Sequence, residues 1–408
     1  MSTHEPLRSH QPPAEPLRVL VVDKVAVLKN NRERYRRLHE LANVKLTLLA
    51  PTRWFENCVM EEYQPDQGEP FETILGVPSW PGRELRSIYY NGALRAVRKS
   101  RPEVILLMEE SFSLFALQII LLAKIFSPSA KVIFYSFNIT SYTHYPYRPA
   151  WFYRVLGDTV MKMAHVGLCV SGRAERVLSE STFRGKIRIL FFGINDRLFK
   201  GIPCHEARAR LGLSPEEDIF LYAGRLLEQK GIQDLLDAFA GLRAARPDRK
   251  LRLLIVGDGE YGDALHQKAA SLDLDGSAEF RRAVPVEHMV AYMSAATAFV
   301  LPSRAEWNEQ FGRVNAEAML VGTTIIGSTS GEIPGVIGDG GYIFEAGNAD
   351  DLKRAMEEVL DDPREAALRR ERGHQIAMKN YSLRGFVNGL VDIFEELSGR
   401  TIRREVGR

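Results

Sequence analysis

Short apolar runs rich in β-branched residues recur along this chain, and stretches with apolar positions every three or four residues separate them. The runs at 17–22, 45–49, 104–108, 131–135 and 166–170 predict strands, and 31–41 predicts an amphipathic helix. After Phe199 the pattern restarts. Residues 219–223, 251–256, 298–301 and 324–326 predict strands, with helices at 232–244 and 262–272 between them. Strands this short and this apolar are buried on both faces, which requires a parallel sheet with helices on either side. The expected fold class is α/β, with two Rossmann-like, doubly wound domains in tandem joined near residues 194–215. The expected division is a disordered tail at 1–16, domains at 17–200 and 201–380, and a terminal segment at 381–408. At 408 residues the chain is too long for one ordinary core, which agrees with two.

Ligands of doubly wound sheets bind beyond the carboxyl ends of strands, so motifs there carry the chemistry. The first, Gly224-Arg225-Leu226-Leu227-Glu228-Gln229-Lys230-Gly231, follows the first strand of the second domain. Arg225 offers a fork of N–H donors and Lys230 a compact charge, which together suit a diphosphate. As a bond to that diphosphate breaks, fixed cations stabilise the growing charge. Two solvated cations flanking a helix are the plainer alternative. The second motif, Gly257-Asp258-Gly259-Glu260-Tyr261-Gly262, matches the dinucleotide fingerprint, with Glu279 where a ribose-binding acid belongs. That opens a rival reading, an NAD(P)-dependent oxidoreductase, although the fingerprint sits on the second strand of its domain. The third motif runs from Pro302 to Met319. It places Glu309 before a helix expected to start near Phe311 or Gly312, and Glu317 two turns in. Eight residues at 100° each leave the two carboxylates within about 80° of one face. Gly312 lets a ligand approach the free N–H groups at the helix start.

Composition and charge sharpen this picture at the edges. The chain is 45% hydrophobic and 26% charged with a net charge of +2, an ordinary globular balance with no case for nucleic acid. The halves differ: residues 1–200 carry 28 Lys and Arg against 19 Asp and Glu, and residues 201–408 carry 26 against 33. The three cysteines are scattered and fit a reducing cytoplasm and no metal site. Residues 1–17 hold four prolines and no apolar stretch, unlike a signal peptide, and the longest apolar run, 114–126, is too short to cross a bilayer. Cationic stretches at 29–37 and 83–101, and aromatic residues at 148–162, suit either solvated helix faces or peripheral contact with an anionic membrane at its inner face.

Taken in order, Gly224-Arg225, Lys230-Gly231, Gly257-Asp258-Gly259, Glu309-Gln310-Phe311-Gly312 and Glu317-Ala318-Met319 resemble the retaining GT-B glycosyltransferases of family 4. The resemblance covers the chain from Leu17 to about Phe394. It implies a metal-independent transfer of a sugar, without a cofactor, from a UDP- or GDP-sugar to a sugar, lipid-linked or small-molecule acceptor. It implies that Arg225 and Lys230 bind the donor diphosphate, Glu317 the ribose, and Glu309 the transferred sugar. Backbone groups around Phe311 and Gly312 would hold the sugar or its phosphate. Gly257, and the segment with Arg282 and Ala283, would line the nucleotide. It further implies that the terminal helix, 383–397, packs back on the first domain. The first domain departs from the family. The loop after its first strand reads Asp23-Lys24-Val25-Ala26 where many members carry a glycine pair. The position of a frequent histidine is matched by Phe137, followed by Asn138. Glu109 and Glu110 follow the preceding strand, and Glu110 is a candidate for that histidine's polar work. Glu109, Asn138 and His144 are candidates on the acceptor side. A binding or epimerase-like protein on the same fold stays open.

Overall fold

The computed structural model describes residues 15–56, 59–138, 149–191 and 193–404. His144 and Cys58 lie outside the described residues. Among the described residues fifteen strands form two large parallel sheets and one small antiparallel pair. The first seven-stranded sheet uses β1 (Leu17–Val22), β2 (Val44–Pro51), β5 (Glu72–Gly76), β6 (Val104–Leu107), β7 (Lys131–Ser136), β8 (Val166–Cys169) and β9 (Lys186–Ile189). Strands β3 (Arg53–Glu56) and β4 (Val59–Glu62) pair with each other. The second sheet uses β10 (Asp218–Ala223), β11 (Leu251–Val256), β12 (Ala278–Arg281), β13 (Ala298–Leu301), β14 (Ile325–Ser328) and β15 (Tyr342–Phe344).

The orders are β5-β2-β1-β6-β7-β8-β9 and β12-β11-β10-β13-β14-β15. In each, the first strand of the domain pairs in parallel with strands on both sides, and the chain direction of the winding reverses there. The reversals fall between β1 and β6, and between β10 and β13. A crevice opens at the carboxyl ends of such a strand pair, because the two loops leave in opposite directions. Central strands such as Leu17–Val22 and Leu251–Val256 are buried almost throughout, as a two-faced sheet demands.

The stretch expected to join the domains contains the helix Cys204–Leu211, which packs on Val286–Ala295 in the second domain. The chain crosses between sheets at two adjacent strands of backbone. Ile194 N donates to Tyr381 O at 2.7 Å, and Leu383 N donates to Ile194 O at 2.9 Å. Helix Leu383–Ser398 then lies against helix Lys29–Leu41, and Asn43 N donates to Arg403 O at 3.1 Å. Phe191 stacks face to face on Phe311 at 3.7 Å, and Arg173 reaches Asn308 Oδ1 at 2.5 Å. These contacts bring the carboxyl ends of the two sheets toward one another.

Candidate active site

The loop after β10 lies directly on the loop after β13. Gly231 has a φ of +68°, and a Cβ there would meet Pro302 O at 2.0 Å, so only glycine permits the approach. The approach brings the Lys230 ammonium into an ion pair with the Glu309 carboxylate, which also accepts from Ser303 Oγ at 2.9 Å. Trp307 completes the group: Lys230 Nζ stands 4.6 Å from its ring centre and the Arg225 guanidinium 5.5 Å. A pocket of about 390 Å³ opens here, lined by Arg225, Lys230, Val284, Met289, Arg313 and Glu317 among others. Burial raises the Glu317 carboxyl above its ordinary range, against the pull of the Arg313 guanidinium 2.8 Å away.

Glu309 reaches this group by a route the helical arithmetic misses. It lies in a loop, not on the helix; Asn308 and Gly312 are both left-handed, and the helix is Arg313–Val321. The angle of about 80° therefore does not describe the pair. Among the described residues the first turn of that helix has no side-chain cap, so its N–H groups face the loop region unspent by a cap. The Phe311 side chain is turned away into the stack with Phe191.

The fingerprint glycines have another use than a dinucleotide. A Cβ on Gly257 would lie 1.9 Å from Gly224 O, and one on Gly259 2.2 Å from Leu226 O. Leu226 N donates to Asp258 O at 3.0 Å, and Tyr261 N to Leu226 O at 3.0 Å. The backbone approach that would admit a pyrophosphate is filled by the Arg225 loop itself, which removes the basis of the oxidoreductase reading. Neither Arg282 nor Ala283 lines the pocket. The Arg282 side chain is 93% exposed, and Ala283 N donates to Asp258 Oδ2 at 3.1 Å. From that segment Val284 and Val286 face the pocket instead.

The first domain forms the opposite wall of a larger cleft of about 930 Å³. Its lining includes Lys24, Glu84, Glu109, Glu110, Phe137 and Asn138 from the first domain, with Gln310 and Arg313 from the second. Arg313 lines both cavities. Buried Lys24 bonds to Glu109 Oε2 at 2.8 Å and stands 3.9 Å from Glu84. Burial alone would lower the Lys24 pKa, but Glu109, Glu84 and Asp23 outweigh it and hold the ammonium charged. Burial pushes the Glu109 carboxyl up to about 7, only partly countered by Lys24. Glu110 is pushed to about 8 by burial, although Phe137 N donates to it at 2.5 Å and Asn138 N also donates. Among the described residues Glu109 Oε1 and Glu110 Oε2 have no hydrogen-bond partner. The structure thus brings Glu109, Glu110 and Asn138 to one wall. Lys24 and Glu84, which share it, went unassigned in the sequence; the lysine at a strand's carboxyl end was the available signal.

Two α/β sheets with facing carboxyl ends and a cleft between them define the GT-B fold. Anabaena HepE, solved in complex with UDP, shares it with a TM-score of 0.67 at 16% identity, over 93% of this chain and 100% of that one. Residues 205–376, the bulk of the second domain, match the family model described as Glycosyl transferases group 1. The D-inositol 3-phosphate glycosyltransferase of Streptomyces avermitilis is 33% identical over 44% of this chain and 40% of that relative. A GDP-mannose-dependent alpha-(1-6)-phosphatidylinositol monomannoside mannosyltransferase of Mycolicibacterium smegmatis is 30% identical over 50% of this chain and 54% of that relative. The chain thus spans only about half the length of these curated relatives, or less.

Proposed function

We propose that this chain transfers a hexose-type glycosyl group from a nucleoside-diphosphate sugar to an acceptor hydroxyl, with retention at the anomeric carbon. The observation that carries the reading is the convergence of Arg225, Lys230 and Glu317 on one pocket of about 390 Å³ at the second sheet's reversal point. Arg225 and Lys230 face the diphosphate, Glu317 takes the ribose hydroxyls, and Glu309, held by Lys230 and Ser303, faces the sugar. The bond from C1 to the diphosphate oxygen breaks while the acceptor oxygen bonds to C1 on the same face. The acceptor proton passes to the leaving phosphate oxygen. The two cations stabilise that phosphate as its charge grows, and need no reorganisation to do so. UDP- and GDP-sugars are the donors proposed, with no resident metal or cofactor. Among the described residues no helix is long and apolar enough to cross a membrane. Exposed Leu121, Ile125 and Trp151, on two helices that pack together, extend the proposal to peripheral docking on anionic lipid at the cytoplasmic face. Cosedimentation with phosphatidylglycerol vesicles, against none with phosphatidylcholine, tests that extension.

The central test is donor binding followed by turnover. UDP or GDP should raise the melting temperature of the full chain, since a ligand of the folded state stabilises it. With the matching labelled sugar nucleotide, Lys230→Gln should cut hydrolysis or transfer about 100- to 1,000-fold, the usual loss when one such group is removed. Binding without turnover in the native protein would leave a binding protein in place of an enzyme.

A further inference from the structure

Glu309 is held at two ends, and the holds come from different domains. Its carboxylate bonds to Lys230 and to Ser303 Oγ, both in the second domain and both through one oxygen, Oε1. Bonds that meet at a single oxygen let the carboxylate turn about it, so the peptide behind the side chain sets where the other oxygen points. That peptide belongs to no helix or strand. Asn308, just before it, is left-handed at φ +51°, a conformation that asparagine tolerates but that its surroundings must hold.

The first domain does the holding. The loop after β8 leads into the helix Gly172–Ser179, and Arg173 in its first turn makes two bonds to the second domain. Its guanidinium donates to Asn308 Oδ1 at 2.5 Å, and its backbone N–H donates to Glu332 Oε1 at 2.9 Å. Ser171 Oγ takes the N–H of Ala174 in the same turn. A carboxylate of one domain thus completes the cap of a helix in the other, at the end where the helix dipole favours negative charge. Glu332 also closes a circuit, because its own N–H donates to Glu309 O at 2.9 Å. Gly331 permits that approach: its φ is +55°, and a Cβ there would meet Glu309 O at 2.1 Å. The circuit runs from Arg173 through Asn308, Glu309 and Glu332 back to Arg173, and it crosses between the domains twice. On the far side of Glu309, Phe311 stacks on Phe191, again from the first domain.

Resting on the proposed transfer reaction, we infer that Arg173, Asn308 and Glu332 are positioning residues that tie Glu309 to domain docking: they fix the peptide that turns its carboxylate toward the transferred sugar, and separation of the domains releases it. Arg225, Lys230 and Glu317 all belong to the second domain, so they grip the donor whether or not the first domain is docked. The sugar is addressed only once the first domain is in place. A sugar nucleotide reacts with water as well as with an acceptor, and such a link withholds Glu309 until the cleft is assembled.

Arg173→Met in the full chain removes the bond to Asn308, keeps the backbone cap and touches none of the donor-gripping side chains. Apparent affinities for UDP and GDP, from melting-temperature titrations, should stay within about twofold of native. The kcat for hydrolysis of labelled UDP-glucose or GDP-mannose should fall at least about tenfold with KM within about threefold, since a misplacement of about 1 Å can cost about 100-fold. Asn308→Ala should match it, and the double variant should be no worse than either, as expected of one circuit. Asn308→Asp keeps an acceptor for the guanidinium and tolerates the left-handed backbone, so it should retain most of kcat. Arg176→Met, exposed on the same helix, should change nothing. Without any ligand, 5-fluorotryptophan NMR should show the Trp307 resonance shifted or broadened in Arg173→Met, and those of Trp54, Trp80 and Trp151 unmoved. A kcat within about twofold of native, losses at Arg173 and Asn308 that multiply, or an unmoved Trp307 resonance overturns the inference. A native chain that binds neither nucleotide and hydrolyses neither sugar nucleotide counts against the donor reading, and the Trp307 resonance then decides the circuit alone.

Discussion

The two walls of the cleft are built on the same plan and set in different surroundings. In each sheet a lysine in the loop after the domain's first strand pairs with a glutamate in the loop after the fourth strand of the winding. Lys24 after β1 meets Glu109 after β6, and Lys230 after β10 meets Glu309 after β13. A serine hydroxyl bonds the glutamate in both: Ser113 at 3.4 Å to Glu109 Oε2, and Ser303 at 2.9 Å to Glu309 Oε1. The surroundings then diverge. Arg225 and Trp307 flank the second pair, whereas Asp23, Glu84 and Glu110 flank the first. The same device, a pair at a reversal point, stands among cationic and aromatic side chains on one side and among acidic ones on the other. Identity of the neighbours, not of the pair, sets what each site can hold.

The sharpest break in the parallel should come from removing each lysine. Lys24→Met leaves Glu109 charged and 1% exposed with one weak partner, so it should cost about 3 kcal/mol in urea denaturation at pH 8. The cost should shrink toward pH 5. Glu109 has a folded pKa above its unfolded value, so protonation there removes the stranded charge. The double variant Lys24→Met with Glu109→Gln should recover most of the loss, since both charges leave together. Lys230→Met leaves Glu309 with a full-strength serine bond, and should cost less stability while costing far more turnover. Equal stability losses at the two lysines would dissolve the comparison.

How much of this was legible follows from where each element sits. The strands found in the sequence, such as 17–22 and 251–256, are central and buried on both faces, so their apolar runs are uninterrupted. Those it missed in the large sheets, β5, β9, β12 and β15, are the four edge strands. Lys186–Ile189 is largely exposed and Ala278–Arg281 half-buried throughout, so neither carries an apolar run to read. The site divides similarly. Arg225, Lys230 and Glu317 follow strands and helices in ways that spacing conveys. The Glu309 position depends on left-handed backbone at Asn308 and Gly312, which a helical angle cannot represent. The Lys24–Glu109 pair joins loops 85 residues apart and needs the β1–β6 pairing, which no local pattern states.

A smaller effect distinguishes the walls by pH. Glu110 has a folded pKa of about 8, raised by burial, against about 4.3 in an unfolded chain. The stabilisation from its bound proton is complete below the unfolded value and is lost as pH rises through about 8. Glu110→Gln keeps an oxygen for Phe137 N and carries no charge to bury. It should leave stability nearly unchanged at pH 5 and raise it by about 2 kcal/mol at pH 8.5, measured by urea titration at both values. On the other wall Glu309→Gln should show no such gain, because it discards a bond to an ammonium. A pH-independent effect of Glu110→Gln would mean its carboxyl is solvated in the native protein.

The finest comparison is between the two serines. Ser303 is fully buried and its hydroxyl bonds Glu309 at 2.9 Å, while Ser113 is 1% exposed and reaches Glu109 at 3.4 Å. A hydrogen bond to a charged group contributes about 1.5–3 kcal/mol at good geometry and weakens steeply as it lengthens. Ser303→Ala should therefore cost about 1.5 kcal/mol and lower turnover severalfold, because Glu309 loses one of the two groups that aim it. Ser113→Ala should cost under about 0.5 kcal/mol and leave the donor-induced melting shift intact, since Lys24 alone fixes Glu109. The ratio of the two losses measures how far each glutamate depends on its lysine, and the reverse order would place the tighter grip on the first-domain wall.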